Sequence, residues 1–347
     1  MRSIVAHTMA MGLLAASLVA GMILAESTWA ASSTPGQEYK ARYSYHWFPS
    51  HHLAIYSEKF AQLCKEATKG RLEVITYPSG QLYSIRDAIG AVSQASVDLA
   101  GVVALTLGSV APEFGVDTMW MVFNNYDQQR KVWATESGKA MVVKVEEKLG
   151  IKILCRMPNG PACIFTSGKK VQRLEDFKGL KARFISASEK PFWEALGVNT
   201  VSMSTEQLYV GLQSGQINAL FTVPTGIKAF SLWDFTKYAT LPYLSYPDSL
   251  IVANAKWWNN LPQDIRETVT KEVVPKVEHD SLQFVMDDAK AVLDEFVKQK
   301  AGTVFALRDD EIKTLKEVCS TMVWPRVVEK FDPAFWDAVT KQQGIGK

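Results

Sequence analysis

Apolar and polar residues follow the same pattern in two separate blocks of the chain. In the first block, residues 39–46 alternate like a strand, an amphipathic helix is predicted over 53–68, and a strand over 72–77. Ser84 and Asp87 resemble a capping box that begins a helix ending at about Gln94, and a third strand is predicted over 97–102. The second block, residues 179–221, repeats the order strand, helix, strand, helix, strand. Because such alternation is typical of parallel sheets covered by helices, we expect an α/β protein with two lobes and a cleft between them.

The segments outside these blocks indicate how the lobes are joined. Residues 152–156 and 162–167 are strand-like and lie between the two blocks. Further along, apolar residues from Leu282 to Val297 recur at helical spacing and form one continuous stripe. We therefore expect strands that cross between the lobes, and a long helix that lies across both.

Composition and the N-terminus narrow the class of protein. The chain has 347 residues, of which 47% are hydrophobic and 21% charged, with a formal net charge of +2. This is typical of a globular protein large enough for two domains, and no basic stretch predicts nucleic-acid binding. Arg2, an apolar run over 9–25 and Thr28-Trp29-Ala30 match a signal peptide of residues 1–30, cleaved near Ala30. An uncleaved anchor is the alternative, but the polar linker that follows favours cleavage and export as a soluble protein.

The sequence contains no motif for catalysis, metal binding or cofactor binding. HExxH, GxSxG, Walker and GxGxxG patterns are all missing, so we expect neither an enzyme nor a bound cofactor. The four cysteines, Cys64, Cys155, Cys163 and Cys319, match no zinc spacing. Cys155 and Cys163 lie close enough in sequence for a disulfide, but burial of each thiol is equally compatible, so their pairing stays open.

One arginine is distinguished by its position. Residues 179–185 predict a strand that begins after a glycine turn, and a helical segment follows at once. Arg183 therefore lies near the C-terminal end of this strand, the end that faces the ligand crevice in an open α/β sheet. Its planar guanidinium fits one carboxylate. The residues alone also allow a structural pair with a neighbouring Asp or Glu.

Several short segments share their order and spacing with a known family. The most specific are Tyr77-Pro78-Ser79-Gly80-Gln81-Leu82, Pro112-Glu113-Phe114, Asp176-Phe177-Lys178-Gly179-Leu180-Lys181-Ala182-Arg183, Leu208-Tyr209-Val210-Gly211-Leu212-Gln213-Ser214-Gly215 and Lys256-Trp257-Trp258. Together they resemble the substrate-binding proteins of TRAP (tripartite ATP-independent periplasmic) transporters, in the dicarboxylate-binding family. The resemblance covers about residues 39–342.

The resemblance implies a two-lobed fold like that of periplasmic binding proteins, in which each lobe is a mostly parallel sheet with helices on both faces. Lobe I is expected to comprise residues 38–160 and about 248–285, and lobe II residues 161–247 and about 286–347. The resemblance further implies a periplasmic protein that binds a small organic acid and delivers it to the membrane-embedded subunits of a TRAP permease. We expect it to act as a monomer.

The resemblance also assigns the ligand carboxylate to Arg183. Trp120, Phe184 and Phe221 are expected to form apolar walls around the ligand. Further contacts are expected from polar side chains near the cleft: Ser186, Thr222, His51, His46 and Tyr243.

The expected ligand is a monocarboxylate with an aromatic or hydrophobic body. Relatives that bind sialic acid carry polar side chains near positions where this chain has Cys163, Thr222, Val103 and Thr106. The hydroxyls of a sugar acid would lose their partners here, which disfavours that class. A small oxo or hydroxy acid remains an alternative, as does a C4 dicarboxylate with its second charge near His46 or His51. A sensor that presents its ligand to a receptor kinase would use the same binding residues.

Overall fold

The structure, a computed structural model, describes residues 37–185 and 188–344. The predicted signal peptide and Ser186 lie outside these ranges. Contacts group everything from residue 38 onward into one compact unit. None of the helices in the described ranges combines the length and the apolar character that a segment needs to cross a bilayer.

Within the described residues, eleven strands form two sheets. In chain order the strands are β1 (Tyr39–Tyr45), β2 (Leu72–Tyr77), β3 (Leu99–Val103), β4 (Ile151–Pro158), β5 (Ala162–Thr166), β6 (Lys181–Phe184), β7 (Asn199–Ser202), β8 (Ala219–Thr222), β9 (Tyr238–Ser245), β10 (Asp248–Asn254) and β11 (Thr303–Ala306). Sheet 1 has the order β2-β1-β3-β10-β4, and sheet 2 has the order β11-β9-β5-β8-β6-β7. Each predicted sequence block thus contributes three neighbouring strands to one sheet.

Helices cover the sheets. They are α1 (His52–Ala67), α2 (Ala88–Ser93), α3 (Tyr126–Trp133), α4 (Glu136–Leu149), α5 (Lys190–Ala195), α6 (Leu208–Gln213), α7 (Pro224–Ala229), α8 (Ala255–Asn260), α9 (Gln263–Thr268), α10 (Val274–Gln299), α11 (Asp309–Val318), α12 (Trp324–Val328) and α13 (Pro333–Gln342). Shorter 3₁₀ helices lie between them, including Ala104–Ser109, Pro112–Thr118 and Thr205–Gln207. Every residue of β3, β5 and β10 is buried, as expected for strands covered on both faces.

Each sheet is mostly parallel, as predicted, with one antiparallel strand: β10 runs antiparallel to β3 and β4, and β5 runs antiparallel to β8 and β9. One feature departs from the sequence predictions. The helix predicted to begin at Ser84 begins instead at Ala88. The reason is local: Ser84 Oγ donates to Asp87 Oδ2 at 2.6 Å, so the two side chains bond to each other and Asp87 caps no backbone N–H.

The connections between the sheets position the cleft. β4 leads into β5 through Asn159-Gly160-Pro161, and β9 leads into β10 through Tyr246-Pro247, so both pairs of strands cross from one sheet to the other. Gly160 adopts φ +111°, a conformation that side chains rarely allow. The 26-residue helix α10 contacts α1 and β4 beside sheet 1 and α7 and β11 beside sheet 2, as the apolar stripe predicts.

A buried charge cluster lies beside the crossing strands. Arg156 Nη1 is 3.1 Å from Asp248 Oδ2 and 3.5 Å from Asp117 Oδ2, and its guanidinium carbon lies 4.2 Å from the ring centroid of Trp133. Arg130 makes a second pair with Asp248. Burial raises the pKa of Asp117 to about 6, although Arg156 opposes the shift. Because these charges join β4, β10 and α3, they fix the geometry of the crossing region.

The last helix packs on elements that precede β4 in the chain. Phe335 of α13 lies 5.1 Å from Trp133 of α3, ring centroid to ring centroid, and the backbone N–H of Asp332 donates to Glu113 Oε1 at 2.7 Å. Residues 332–342 therefore lie against α3 and the 3₁₀ helix Pro112–Thr118. The lobe boundaries given above stay a prediction.

Candidate functional site

A cavity of about 120 Å³ lies between the two sheets. Sheet 1 contributes residues that follow β1 and the end of β3, and sheet 2 contributes the ends of β6 and β8. The linkers add Asn159 and Pro247. The cavity is thus at the C-terminal ends of parallel strands, where open α/β sheets bind ligands. Most of its lining is apolar: Trp47, Leu53, Ile85, Val103, Leu105, Ala162, Ile185, Leu208, Phe221, Val223, Phe230, Leu232 and Pro247.

Arg183 lines this cavity from the end of β6 and is 4% exposed. Its Nε donates to the carbonyl of Met203 at 3.0 Å and its Nη2 to Thr205 Oγ1 at 3.0 Å. Burial lowers the pKa of Arg183 to about 10, so the group stays positively charged at neutral pH. Among the described residues no carboxylate lies within 4.0 Å of the guanidinium. Two neutral acceptors therefore hold a buried cation that has no direct counter-ion.

Glu189 lines the same cavity, and the sequence analysis missed it. It is 4% exposed, and its Oε2 accepts the backbone N–H of Ile185 at 3.0 Å, while its Oε1 is buried without a hydrogen-bond partner. Burial raises the pKa of Glu189, and the charge of Arg183 opposes that shift. The Trp193 indole also lowers this pKa, but its Nε1 makes no hydrogen bond and is itself unpartnered. The only sequence signal was an acid six positions after Arg183.

Two predicted histidines face the cavity from the other lobe. The backbone N–H of Leu53 donates to His51 Nδ1 at 3.1 Å, so His51 caps α1. In the neutral ring the proton must then reside on Nε2, which makes His51 a hydrogen-bond donor on its remaining side. Burial, together with His52 and His46 nearby, holds the pKa of His51 well below its usual value. Burial likewise lowers the pKa of His46 to about 4, and its Nδ1 has no partner.

Aromatic side chains meet across the cleft. Phe48 and Phe230 lie 5.5 Å apart, ring centroid to ring centroid, and His51 lies 6.1 Å from Phe230. Phe48 and His51 follow β1, whereas Phe230 follows α7 beside sheet 2. The predicted residues Phe221 and Thr222 line the cavity at the end of β8. Phe230 was missed, because an aromatic after a short helix gives no indication of a cleft.

Three predicted contacts do not line the cavity. Trp120 is fully buried behind it, packed 4.9 Å from Trp193 and 5.1 Å from Phe221, ring centroid to ring centroid. Phe184 follows Arg183 in the strand, and because side chains of neighbouring strand residues point to opposite faces, it packs against the core instead. Tyr243 is half-buried against the same core. Ser186 is outside the described residues.

An adjoining cavity of about 370 Å³ shares Arg183, Ile85, Leu105, Ile185 and Thr205 with the first. Its lining includes a second arginine, the exposed Arg86, so the histidines are not the only cationic candidates near the cleft. No group of three or more His, Cys, Asp or Glu side chains suited to a metal ion occurs in the described part of the chain. All four cysteines are buried free thiols.

One protein family matches most of this chain in sequence. The family model described as "Bacterial extracellular solute-binding protein, family 7" (DctP) matches residues 43–330. The C4-dicarboxylate-binding periplasmic protein DctP of Rhodobacter capsulatus is 27% identical over 226 residues, which is 64% of this chain and 66% of that protein. The match thus spans slightly less than two thirds of that relative's length.

Solved structures of solute receptors share the fold. DctP7 of Bordetella pertussis, an extracytoplasmic solute receptor binding pyroglutamic acid, superposes with a TM-score of 0.80 at 23% identity, covering 88% of this chain and 99% of that one. A TRAP periplasmic solute-binding protein of Shewanella oneidensis with bound succinate gives a TM-score of 0.81 at 17% identity, covering 88% and 99%. The predicted two-lobed α/β fold is confirmed by these likenesses.

Proposed function

The chain belongs to family 7 of the bacterial extracellular solute-binding proteins, and from this we propose that it captures a small organic acid in the cleft between its lobes and delivers it to a TRAP permease. The observation that carries the proposal is Arg183, a buried guanidinium in the cavity wall that lies within 4.0 Å of no carboxylate among the described residues. A ligand carboxylate would make that direct ion pair and accept from Nη1, which bonds to no described residue.

The size of the first cavity limits an acid that is held within it. A dry protein cavity of about 150 Å³ holds one benzene molecule, and this cavity measures about 120 Å³. We propose an acid that fits there without entering the adjoining cavity of about 370 Å³, so that its body is one small ring or a short branched chain packed against the apolar lining. The named ligands of the two structural neighbours, pyroglutamic acid and succinate, are acids of this size.

On the far side of the cavity, the protein would form a hydrogen bond with a neutral group of the ligand. His51 offers a single N–H there, because its other ring nitrogen caps α1. Such a donor suits a carbonyl, hydroxyl or ether oxygen. On this side of the cavity a second carboxylate would have to protonate a histidine whose surroundings disfavour the charged form. The other cation near the cleft, Arg86, is exposed and lines only the adjoining cavity. This favours monocarboxylates over C4 dicarboxylates.

The wider role follows from the family. We propose that residues 1–30 direct export and are removed, and that the mature chain acts as a monomer outside the cytoplasmic membrane. Lobe closure would be favoured only to the extent that the ligand binds the closed form better than the open form. The Phe48–Phe230 contact, which joins the two lobes at 5.5 Å, is one interaction that closure would provide.

A thermal-shift panel tests the proposal. The panel contains L-pyroglutamate, succinate, 2-oxobutyrate, benzoate and galactonate, each beside its uncharged amide or lactone. A ligand present at 100 times its Kd stabilises the protein by about 2.7 kcal/mol, so a raised Tm is expected for small monocarboxylates and not for galactonate or the uncharged analogues. If no acid raises the Tm at millimolar concentration, or if an amide acts as well as its acid, the proposal is wrong.

A further inference from the structure

The cavity contains two buried opposite charges on one lobe. Arg183 and Glu189 both line it and each is 4% exposed. The histidines that also line it are held neutral by burial, and Glu206, which influences Arg183 from the cleft rim, is exposed and screened by solvent. The formal charge of the cavity wall is therefore set by one cation and one anion.

This pair is arranged so that each partner still has an unused bonding position. Arg183 donates to the Met203 carbonyl and to the Thr205 hydroxyl, and one oxygen of Glu189 accepts the backbone N–H of Ile185. The other oxygen of Glu189, Oε1, is buried with no partner. A buried acceptor without a donor is costly, and such groups in native proteins call for a missing partner. Trp193 Nε1 acts on Glu189 but makes no hydrogen bond to it, so a ligand in the cavity can provide the donor.

A simple carboxylate would satisfy only half of this arrangement. It would neutralise Arg183 but add a second negative charge beside Glu189 in a buried site, where like charges repel strongly. An acid with an N–H donor close to its carboxylate would present acceptor and donor together. The N–H would meet the free oxygen of Glu189 while the carboxylate meets Arg183.

We propose that the ligand is an amino, imino or amido acid, held by Arg183 through its carboxylate and by Glu189 through an N–H on the neighbouring carbon. This inference rests on the proposed function and narrows it to a substrate class. It makes Glu189 a specificity-determining residue, since Glu189 distinguishes acids that carry the donor from acids of the same shape that do not.

A matched series of ring acids tests this directly in the unmodified protein. L-Proline and L-pyroglutamate carry N–H beside the carboxylate, whereas cyclopentanecarboxylate has CH₂ and tetrahydrofuran-2-carboxylate has oxygen at the same place. By isothermal titration calorimetry the two N–H acids should bind at least about tenfold more tightly than the other two, the change expected for one hydrogen bond to a charged group. Equal affinities across the series would overturn the inference.

Two variants then test whether the preference for N–H acids depends on the carboxylate of Glu189. Glu189→Gln keeps the size of the side chain and removes its charge, and should reduce the N–H preference to within about threefold, since a neutral hydrogen bond is weaker. Glu206→Gln, on the exposed rim, should keep the preference of the unmodified protein. If cyclopentanecarboxylate binds as well as proline, and titrations in two buffers show uptake of a proton, Glu189 is neutralised by protonation and the assignment fails.

The two proposals fail in different ways. If none of the four acids binds and the wider panel is also negative, the organic-acid function is wrong. If acids bind through Arg183 but the CH₂ and oxygen analogues bind as tightly as the N–H acids, only the assignment of Glu189 is wrong. The series on the unmodified protein decides the question even if Glu189→Gln does not fold.

Discussion

Replacing Arg183 is the most informative single change, and two variants separate its charge from its shape. Arg183→Met removes the cation and keeps an unbranched apolar chain. Arg183→Lys keeps the charge but loses the Nε bond to the Met203 carbonyl and the Nη2 bond to Thr205, each 3.0 Å long. An ammonium would therefore be neither positioned nor able to present two parallel donors to one carboxylate.

The magnitude follows from these contacts. A hydrogen bond to a charged group contributes about 1.5–3 kcal/mol, which corresponds to a change in Kd of about 10- to 150-fold. We expect Arg183→Met to weaken binding toward the upper end of this range and Arg183→Lys toward the lower end. The empty protein should change little in stability, because the lost hydrogen bonds are offset by no longer burying a charge, whose cost is evident from the lowered pKa of Arg183.

The measurement is calorimetric titration with L-pyroglutamate and with the tightest acid of the panel, accompanied by urea unfolding of each empty variant. Lys181→Met provides the matched control, because Lys181 is an exposed cation on the same strand and lines neither cavity at Arg183. Its affinity should equal that of the unmodified protein. Should Arg183→Met bind the acid as tightly as Lys181→Met does, the carboxylate is not held by Arg183 and the reasoning is refuted.

Three further predictions concern the framework. Gly160→Ala should destabilise the protein by about 1–3 kcal/mol in urea unfolding, because φ is +111° and the added carbon would lie 3.2 Å from a valine methyl of α10; an unchanged midpoint would contradict this. Asp248→Asn should lower the free energy of unfolding by about 3–5 kcal/mol, because it leaves buried arginine charge uncompensated. Glu136→Gln, at an exposed ion pair, should change this free energy by no more than about 0.5 kcal/mol. Burial lowers the pKa of His52 to about 4, so between pH 6.5 and 4 the unfolded chain binds a proton that the folded protein does not, and stability falls on acidification. His52→Gln should reduce that pH slope of the unfolding free energy relative to the exposed control His279→Gln, and parallel slopes would show that His52 does not contribute.

The alternation of apolar and polar residues was sufficient to predict the strands and α10, because burial of one or both faces of an element imposes a periodic pattern on its sequence. The alternation did not reveal the antiparallel direction of β5 and β10, because an extended segment has the same residue pattern in a parallel and in an antiparallel strand. The capping pattern at Ser84 misled for a different reason. A serine and an aspartate three positions apart can bond to each other as readily as to the backbone.

The site was predictable in part. Arg183 could be placed by its position at a strand end, and the alternation that placed it also implies that Phe184 faces the opposite side. Trp120 could not be judged in advance, because a loop tryptophan beside a cleft and one behind its wall have the same local sequence. Glu189 was missed because its significance depends on a bond to the Ile185 backbone and on an empty position at its second oxygen, neither of which sequence records.

The buried state of the cysteines has a practical consequence for measuring how the lobes move. Cys64, Cys155, Cys163 and Cys319 are each at most 1% exposed, so thiol reagents cannot reach them in the folded protein. The natural cysteines therefore need not be removed before new labelling sites are introduced. One new cysteine on the surface of each lobe would accept a pair of fluorescent or spin labels, and the distance between the labels would report the angle between the lobes as an acid is added.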